Sequence, residues 1–474
     1  MPTNAGFEKK SLFRAVPGLF SRRRLFNPAT PFDNASIAQQ TLTSILDSLG
    51  GILWLPNQHN YVLTTDTAVA PVGDPVGYVG SHRQNLPENY VKNSMMVGTG
   101  GTNGAPDYWS YTQTANGVTT SVSTGTDEYG TYVQFSMSGT AGGTISYQTI
   151  AFNGSNSSGN HAVAAYAQLW SSRFKVRGIS GTQRAGSIGL HSIDASNTLL
   201  TNMGSTSFTP SDSIQTVTTT SVIPDLTCAY LRSAITVTVA AGSGTWDNVF
   251  RVYAPQLERG KPTAFTPTYG TAITRGANFE PAWQDTTANK PLLGIDADGK
   301  SILTYDGTND FFRTGIQTPE AGYVAGVWKL AAPVPTARGL FSSSSAVTVG
   351  ARFGQVSTTG EFRQGRHDGT TNTNSTTSTA IGAGKVVLDG HFAVASSSVR
   401  INGGAEGISG VTRNAATTQY FRIGADGTGT DTQANYVNGT MLAQIWIPGA
   451  RPGATAEAEI RRLLAEITAV SGVV

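Results

Sequence analysis

The sequence predicts a mostly β protein with two β-sandwich (jelly-roll) domains in series, a short N-terminal helix and a C-terminal helix. Composition is the first reason, because 55 glycines, only 13% charged residues and long runs of Ser, Thr and Asn are typical of short strands joined by turns. Apolar content is the second, since 39% hydrophobic and 9% aromatic residues can form packed cores. Length is the third, because 474 residues exceed one ordinary domain.

Charge and cysteine content narrow the classes of function. The net charge of +2 gives no general attraction to nucleic acid or acidic membranes, so we expect no nucleic-acid partner. Cys228 is the single cysteine, which excludes an intrachain disulfide and a zinc site built on thiolates. The sequence lacks an apolar run of membrane-spanning length and a signal-peptide pattern, so we expect no membrane insertion and synthesis in a cytoplasm without export.

Residues 1–33 are predicted to be irregular and to lie on a partner protein. Prolines and arginines interrupt the apolar residues, so the segment cannot bury them by itself. A plain surface patch is the alternative for its basic cluster. The residues expected to dock are Phe13, Leu19, Phe20, Arg22, Arg23, Arg24, Leu25 and Phe26.

Residues 34–90 are predicted to form a helix followed by a short β module. The helix spans Asn34 to Gly50, with Asn34 or Ser36 as its cap and glycines at its end. Its apolar face has two open interpretations: it packs on the following strands, or it bundles with copies of itself in an oligomer. Short β-like runs alternate with turns over residues 52–90.

Two longer regions carry the sandwich patterns. Residues 91–273 contain about eight strand-like runs separated by Gly, Ser, Thr and Asn turns, which is a jelly-roll count. Residues 274–474 repeat this pattern and end in an amphipathic helix that Thr455 is expected to cap. The segment FTPTYG, residues 265–270, is predicted to link the two sandwiches.

Several segments together resemble modules of tailed-bacteriophage structural proteins. VGDPVG at residues 72–77 matches a turn in a short module of those proteins, although LPNQ at residues 55–58 replaces the usual DPSD. Residues 92–111 and 246–270 resemble the first and last strands of a carbohydrate-binding-type jelly roll, and the PQLE motif at residues 255–258 is the most specific match. TYDGTNDFF at residues 304–312 resembles the opening of a concanavalin-like (laminin-G-like) sandwich.

The resemblance implies a virion structural protein. Its expected role is a tail fibre or other projecting appendage that docks through the N-terminus and binds host-surface glycans. The alternative is a capsid (head) decoration or head-fibre protein with no receptor role. Expected partners are capsid, collar or tail proteins, and a homo-oligomer such as a trimer stays open by analogy. The expected location is the virion.

Catalytic patterns are weak, so we do not expect an enzyme. Asp247 and Glu258 resemble a pair of glycosidase carboxylates, but an extended strand holds them more than ~20 Å apart. Glycosidase carboxylates lie about 5–10 Å apart, so both acids are interpreted as structural. The six histidines show no metal-ligand spacing, and no serine occupies a nucleophile elbow.

Two ligand hypotheses complete the analysis. Asp306, Asn309 and Asp310 in DGTND are predicted to form a tight turn, with a calcium site as the alternative; no cofactor is otherwise expected. Tryptophans are expected to be core residues by default. Tyr108, Trp109 and Tyr111 have polar, glycine-rich neighbours and are the best candidates for an exposed glycan-binding platform.

Overall fold

The computed structural model describes most of the chain after residue 33. The predicted docking segment, residues 1–33, lies outside the described residues. The described ranges are 34–56, 60–61, 69–113, 116–152, 161–269, 271–276, 279–331, 337–343, 350–355, 361–367, 372–381, 384–393, 396–409, 419–427 and 433–473.

Strands dominate these residues, as predicted, and the two described helices lie near the ends of the chain. The first region holds α1 (Asn34–Leu49), β1 (Ile52–Trp54), β2 (Asn60–Tyr61) and β3 (Tyr78–Val79). The next holds β4 (Ser110–Gln113), β5 (Val118–Asp127), β6 (Gly130–Thr140), β7 (Ser146–Ala151), β8 (Ala162–Val163), β9 (Leu169–Ser180), β10 (Gly186–Asp194), β11 (Leu199–Phe208), β12 (Gln215–Val222), β13 (Cys228–Val239), β14 (Thr245–Trp246) and β15 (Val249–Arg259).

The remaining elements belong to the second half of the chain. They are β16 (Ala282–Trp283), β17 (Leu292–Ile295), β18 (Ser301–Asp306), β19 (Phe312–Gln317), β20 (Gly322–Leu330), β21 (Arg338–Ser342), β22 (Gly350–Gln355), β23 (Glu361–His367), β24 (Asn372–Ala380), β25 (Lys385–Phe392), β26 (Ser397–Ile401), β27 (Gly407–Ser409), β28 (Tyr420–Ile423), β29 (Asp426–Gly427), β30 (Gln433–Ala434), β31 (Asn438–Pro448) and α2 (Ala454–Thr468).

The first sandwich packs two antiparallel sheets face to face. One has the order β11-β10-β13-β7-β4, with β8 beside β13; the other has the order β12-β9-β15-β6-β14, with β5 beside β6. Alternation places Val133, Phe135 and Met137 of β6 inward. The ring of Phe135 stacks 5.4 Å from Phe250 of β15, so the core joins neighbouring strands through aromatic packing.

The second sandwich is built in the same way. Its larger sheet has the order β2-β3-β16-β19-β28-β21-β22-β23-β24, and its partner has the order β17-β18-β31-β20-β25-β26-β27, with β1 beside β31. Phe341 and Phe421 stack at 4.4 Å between ring centroids, and Trp446 of the opposite sheet lies 5.0 Å from Phe421. These rings form the centre of the second core.

The predicted helix and short strands of residues 34–90 are present, but they do not form a module of their own. Ile52 of β1 pairs with Trp446 of β31, and Tyr78 of β3 pairs with Trp283 of β16. Strands of two or three residues cannot form a stable sheet alone, so they extend the sheets of the second sandwich instead. The chain therefore starts in the second sandwich, forms the first, and returns.

The predicted linker also has a different role. Tyr269 pairs with Asn93, and Ile273 pairs with Asn89, each as an isolated β-bridge. The Thr268 hydroxyl donates to the carbonyl of Val91. The segment after β15 therefore runs back along the start of the first sandwich instead of forming a free connection.

Both helices cover the outer face of the sheet that contains β31. Leu42 and Leu46 of α1 are buried against α2 and this sheet, which supports packing within the chain for α1. Helix α2 begins after Gly453 and not after the predicted cap Thr455, because the Gly453 carbonyl already accepts the N–H of Glu457. Within the described ranges, neither helix has the length and apolar character that crossing a membrane requires.

Candidate functional site

The predicted glycan platform is largely a core feature, which corrects the sequence-based expectation. Trp109 and Tyr111 are each 1% exposed. The indole of Trp109 packs 5.0 Å from the ring of Phe152, and its Nε1 donates to the carbonyl of Asn93 over 2.9 Å. The Asn93 side chain donates to the carbonyls of Val97 and Asp107, and so ties the glycine-rich loop over the indole.

Stacking on tryptophan is excluded more generally. All seven tryptophans of the chain lie in the described ranges, and none is more than 3% exposed. Only Tyr108 of the predicted trio reaches solvent, and its side chain is 37% exposed. Its backbone has a positive φ of 67°, and Nζ of Lys92 lies 5.9 Å from the centre of its ring. Tyr108 is therefore the one exposed residue of the three that were predicted to form the platform.

The two acids that resembled a glycosidase pair lie in separate environments. Asp247 occupies a turn, where its Oδ1 accepts the N–H of Thr182 over 2.8 Å. Glu258 is 1% exposed at the end of β15 and is held in a group of buried charges. Each acid is therefore held by hydrogen bonds or ion pairs of its own.

That group of buried charges, here named the ionic joint, consists of Glu88, Glu258, Arg259, Arg275 and Glu280. Nη2 of Arg275 lies 2.6 Å from Oε2 of Glu258, and Nη1 of Arg275 lies 3.0 Å from Oε2 of Glu88. Arg259 Nη2 completes the chain of charges at 3.3 Å from Oε1 of Glu88. The two carboxylates and Arg275 are at most 1% exposed.

The members of the ionic joint come from distant parts of the sequence. Glu88 precedes the first sandwich, Glu258 and Arg259 end β15, and Arg275 and Glu280 lie in the segment that leads to the second sandwich. Oε1 of Glu280 accepts the N–H of Gly315 in β19 over 2.8 Å. The joint thus ties the exit of the first sandwich to the entry of the second.

Burial sets the protonation behaviour of the joint. It raises the pKa of Glu258 to about 7, against the attraction of Arg275. It likewise raises the pKa of Glu280 to about 7, against the attraction of Arg259. Three buried carboxyls share two buried guanidinium groups, so protonation of one acid relieves an excess of negative charge.

Apolar and aromatic contacts continue the junction beyond the joint. Tyr166 of the first sandwich and Tyr420 of the second have ring centroids 4.9 Å apart. Leu169 packs with Tyr78 and Trp283 in a small buried cluster. The two sandwiches therefore meet through a mixed interface of charges and rings.

The residues of the candidate calcium site form a turn, and their carboxylate oxygens accept backbone N–H groups of the same turn. Oδ1 of Asp306 accepts the N–H groups of Thr308 and Asn309, and Oδ2 of Asp310 accepts the N–H of Asp306. Gly307 has a φ of 80°, which is what the predicted tight turn requires. Across the described ranges, no three His, Cys, Asp or Glu side chains are grouped to hold a metal ion.

Sequence reasoning missed four members of the ionic joint, Glu88, Arg259, Arg275 and Glu280. Glu88, Arg275 and Glu280 lie in irregular segments, where a charged residue is ordinarily solvated. One signal was available: Glu258 and Arg259 are adjacent charges at the end of an otherwise apolar strand. A strand that buries both faces at that point requires partners for both charges.

The comparisons with known proteins do not assign the chain to a family. No protein-family model matches the chain, and no curated protein matches it. Among solved structures, similarity is found to a family 4 carbohydrate-binding module described under "CBM4 structure and function". The identity is 14%, covering 36% of this chain and 99% of that chain, with a TM-score of 0.25.

Two further solved structures show similarity of the same order. The enzymatically active domain of bacteriophage CBA120 tailspike protein 4 is 15% identical over 35% of this chain and 21% of that chain, with a TM-score of 0.24. Domains LG4-5 of the mouse laminin alpha1 chain are 9% identical over 61% of this chain and 91% of that chain, with a TM-score of 0.25. Similarity at this level carries no inference about function.

Proposed function

We propose that this chain is a structural component of a tailed-phage particle, a projecting appendage docked through residues 1–33. The observation that carries the proposal is the ionic joint. Domains joined by small, wet interfaces move relative to each other by default. Here the exit of the first sandwich and the entry of the second share buried ion pairs, which restrict such motion. A projecting appendage requires this rigidity because it must hold its outer end at a fixed position.

The path of the chain supports docking at one end. Helix α1 packs against α2 on the second sandwich, so residues 1–33 lead directly into that sandwich. A particle bound by those residues would adjoin the second sandwich and leave the first farther out. The resemblance of residues 72–77 and 255–258 to phage structural modules points to the same class of particle.

Incorporation into particles tests this proposal. The full chain and a variant lacking residues 1–33 are each supplied in infected cells whose phage lacks its own copy, and purified particles are probed for the protein. We expect the truncated chain to remain folded in the cytoplasm and to be absent from particles. Immunogold labelling of the wild-type chain distinguishes a tail location from a head location.

Matched variants separate the two chemical features of the segment. Arg22, Arg23 and Arg24 changed to Gln remove charge, whereas Phe13, Phe20 and Phe26 changed to Ser remove apolar surface. We expect the Phe variant to lose more incorporation, because buried aromatic anchors dominate stable interfaces. Incorporation of the truncated chain at the wild-type level would overturn docking through the N-terminus.

A further inference from the structure

A groove opens on the outer face of the sheet that contains β31, beside the end of helix α2; it is here named the sheet-end pocket. Its volume is about 700 Å³, within the range of roughly 300–1,000 Å³ that small-molecule sites occupy. Much of its lining is exposed, so the pocket is open to solvent. The exposed lining residues are Ala297, Asp298, Thr304, Lys329, Ala331, Gly384 and Asn438.

Strand register builds a polar row along the pocket. Thr304 of β18 is directly opposite Thr440 of β31. Lys329 of β20 lies between Thr440 and Lys385 of β25. Residues directly opposite each other share one face of a sheet. Two hydroxyls and two amines therefore follow one another across four neighbouring strands, at intervals of about 4.8 Å.

Aliphatic side chains adjoin this polar row. Ile302 precedes Thr304 by two positions on β18, so both side chains lie on the same face. Ile302 is partly exposed at the margin of the cluster beneath the two helices, whereas Leu442 is 3% exposed at its base. Ala331 adds an exposed methyl group. The pocket thus combines accessible apolar surface with a row of polar groups.

The charges around the pocket are only partly paired. Nζ of Lys385 lies 2.7 Å from Oδ2 of Asp296 and also pairs with the carboxylate of Asp298. The same amine donates to the carbonyl of Thr468 over 3.1 Å, which fixes it beside the end of α2. Lys329 is opposite Lys385, and within the described ranges no carboxylate pairs with it. Like charges directly opposite each other are destabilising, so an acceptor at Lys329 would stabilise this end of the sheet.

We propose that the sheet-end pocket binds a short stretch of a neutral sugar chain. A pyranose ring has C–H groups on its faces and hydroxyls at its rim, and each hydroxyl both donates and accepts hydrogen bonds. Ile302 and Ala331 supply surface for the C–H groups. Lys329 and Asn438 supply donors, and the carboxylate of Asp298, which is 48% exposed, supplies acceptors. This assignment is independent of the particle role proposed above and holds whether or not the chain is incorporated.

A neutral sugar fits better than an anion or a wholly apolar ligand. An anion that reached Lys329 would also meet the carboxylates of Asp296 and Asp298, which line the same pocket. An apolar molecule would cover the charge of Lys329 without giving it an acceptor, and such burial is costly. The tryptophans are buried, so recognition in this pocket relies on hydrogen bonds and aliphatic contact instead of stacking on indole.

A microarray of neutral and uronate-containing oligosaccharides, probed with the labelled full chain, tests the assignment. We expect binding to neutral oligosaccharides, and calorimetric titration of the strongest one gives its Kd. Lys329→Met keeps the aliphatic stem but removes the charged donor, so it should weaken binding about tenfold or more. Thr304→Trp places a large ring in the opening and should abolish detectable binding.

Matched variants in the first sandwich are the controls. Lys175 of β9 and Thr216 of β12 are an exposed pair opposite each other, so Lys175→Met and Thr216→Trp make the same chemical changes away from the pocket. Both should keep wild-type affinity. Thermal melting checks the fold of each variant, and Lys329→Met supplies the test if Thr304→Trp fails to fold.

Four results would overturn the proposal. They are the absence of binding to every neutral oligosaccharide, a preference for uronate-containing ones, wild-type affinity in Lys329→Met, and equal losses of affinity in the control variants.

Discussion

Nη2 of Arg275 lies 2.6 Å from Oε2 of Glu258, and neither side chain is more than 1% exposed. Glu258 lies near the end of β15, and Arg275 follows the segment that runs back along the start of the first sandwich. Arg275 also donates through Nη1 to Glu88 and to the carbonyl of Arg259. One guanidinium group therefore connects the start of the first sandwich, its last strand and the path to the second.

Changing Arg275 to Met should destabilise the junction strongly. The change keeps most of the side-chain volume but leaves Glu258 and Glu88 buried with less compensating charge, which typically costs about 3–5 kcal/mol. Calorimetry should show a lower melting temperature and two separated unfolding transitions. Arg462 is the control, since it is 57% exposed in its pair with Glu459; its change to Met should cost less than about 1 kcal/mol. Equal effects of the two variants would refute the role of the joint.

Glu280 should make stability fall as the pH rises through neutrality. Burial raises its folded pKa from 4.5 to about 7, so the folded state binds more protons than the unfolded state between these values. Its contribution is fully present below pH 4.5 and is lost as the pH rises through about 7. At about 1.36 kcal/mol per pKa unit, this corresponds to about 3 kcal/mol.

Glu280→Gln tests this prediction by urea unfolding at pH 5 and pH 8. The amide oxygen can still accept the N–H of Gly315, so the variant should lose less stability than wild type between the two pH values. Glu258 has the same direction of pKa change and should leave a residual slope. Carboxyls with lowered pKa, such as Asp127, are ionised across this range and do not contribute. An unchanged slope in the variant would contradict the prediction.

The elements of the fold were readable because their signals are local. Alternation in strands such as β6 and the apolar stripe of α2 depend on residues within a few positions of one another. The last strand of the first sandwich, β15, was placed by the resemblance of residues 246–270 to the last strand of a jelly roll.

The ionic joint depends on contacts between segments that are distant in sequence. Glu88 and Arg275 are far apart in sequence, and nothing near either residue signals the other. A strand of two or three residues has too few residues for a pattern that predicts its partner strand. The pairing of β1 with β31 is an example. The sequence analysis expected Trp109 at the surface because its neighbours in the sequence are polar. In the structure, the Asn93 side chain donates to two carbonyls of this loop and so closes the loop over the indole.

Changing Trp109 to Ala should therefore unfold the first sandwich instead of removing a surface contact. Truncating a buried tryptophan typically costs about 3–5 kcal/mol, and here it also removes the indole N–H that donates to the Asn93 carbonyl. Denaturant unfolding followed by circular dichroism measures the loss. Tyr108→Ala is the matched control because that side chain is 37% exposed, and it should change stability by less than about 1 kcal/mol. A folded, fully stable Trp109→Ala protein would contradict the buried placement.

Helix α1 should contribute to the stability of the single chain through Leu42, which is fully buried against α2 and the neighbouring sheet. Leu42→Ala removes packed volume from this face and should cost about 2–5 kcal/mol. Ile37→Ala lies on the same helix at 49% exposure and should cost far less. Thermal melting gives the two effects, and light scattering after size exclusion gives the mass of each variant. If α1 instead formed a bundle between copies, Leu42→Ala would reduce the mass and make the melting temperature depend on protein concentration. Packing within the chain predicts an unchanged mass and a lower melting temperature at every concentration.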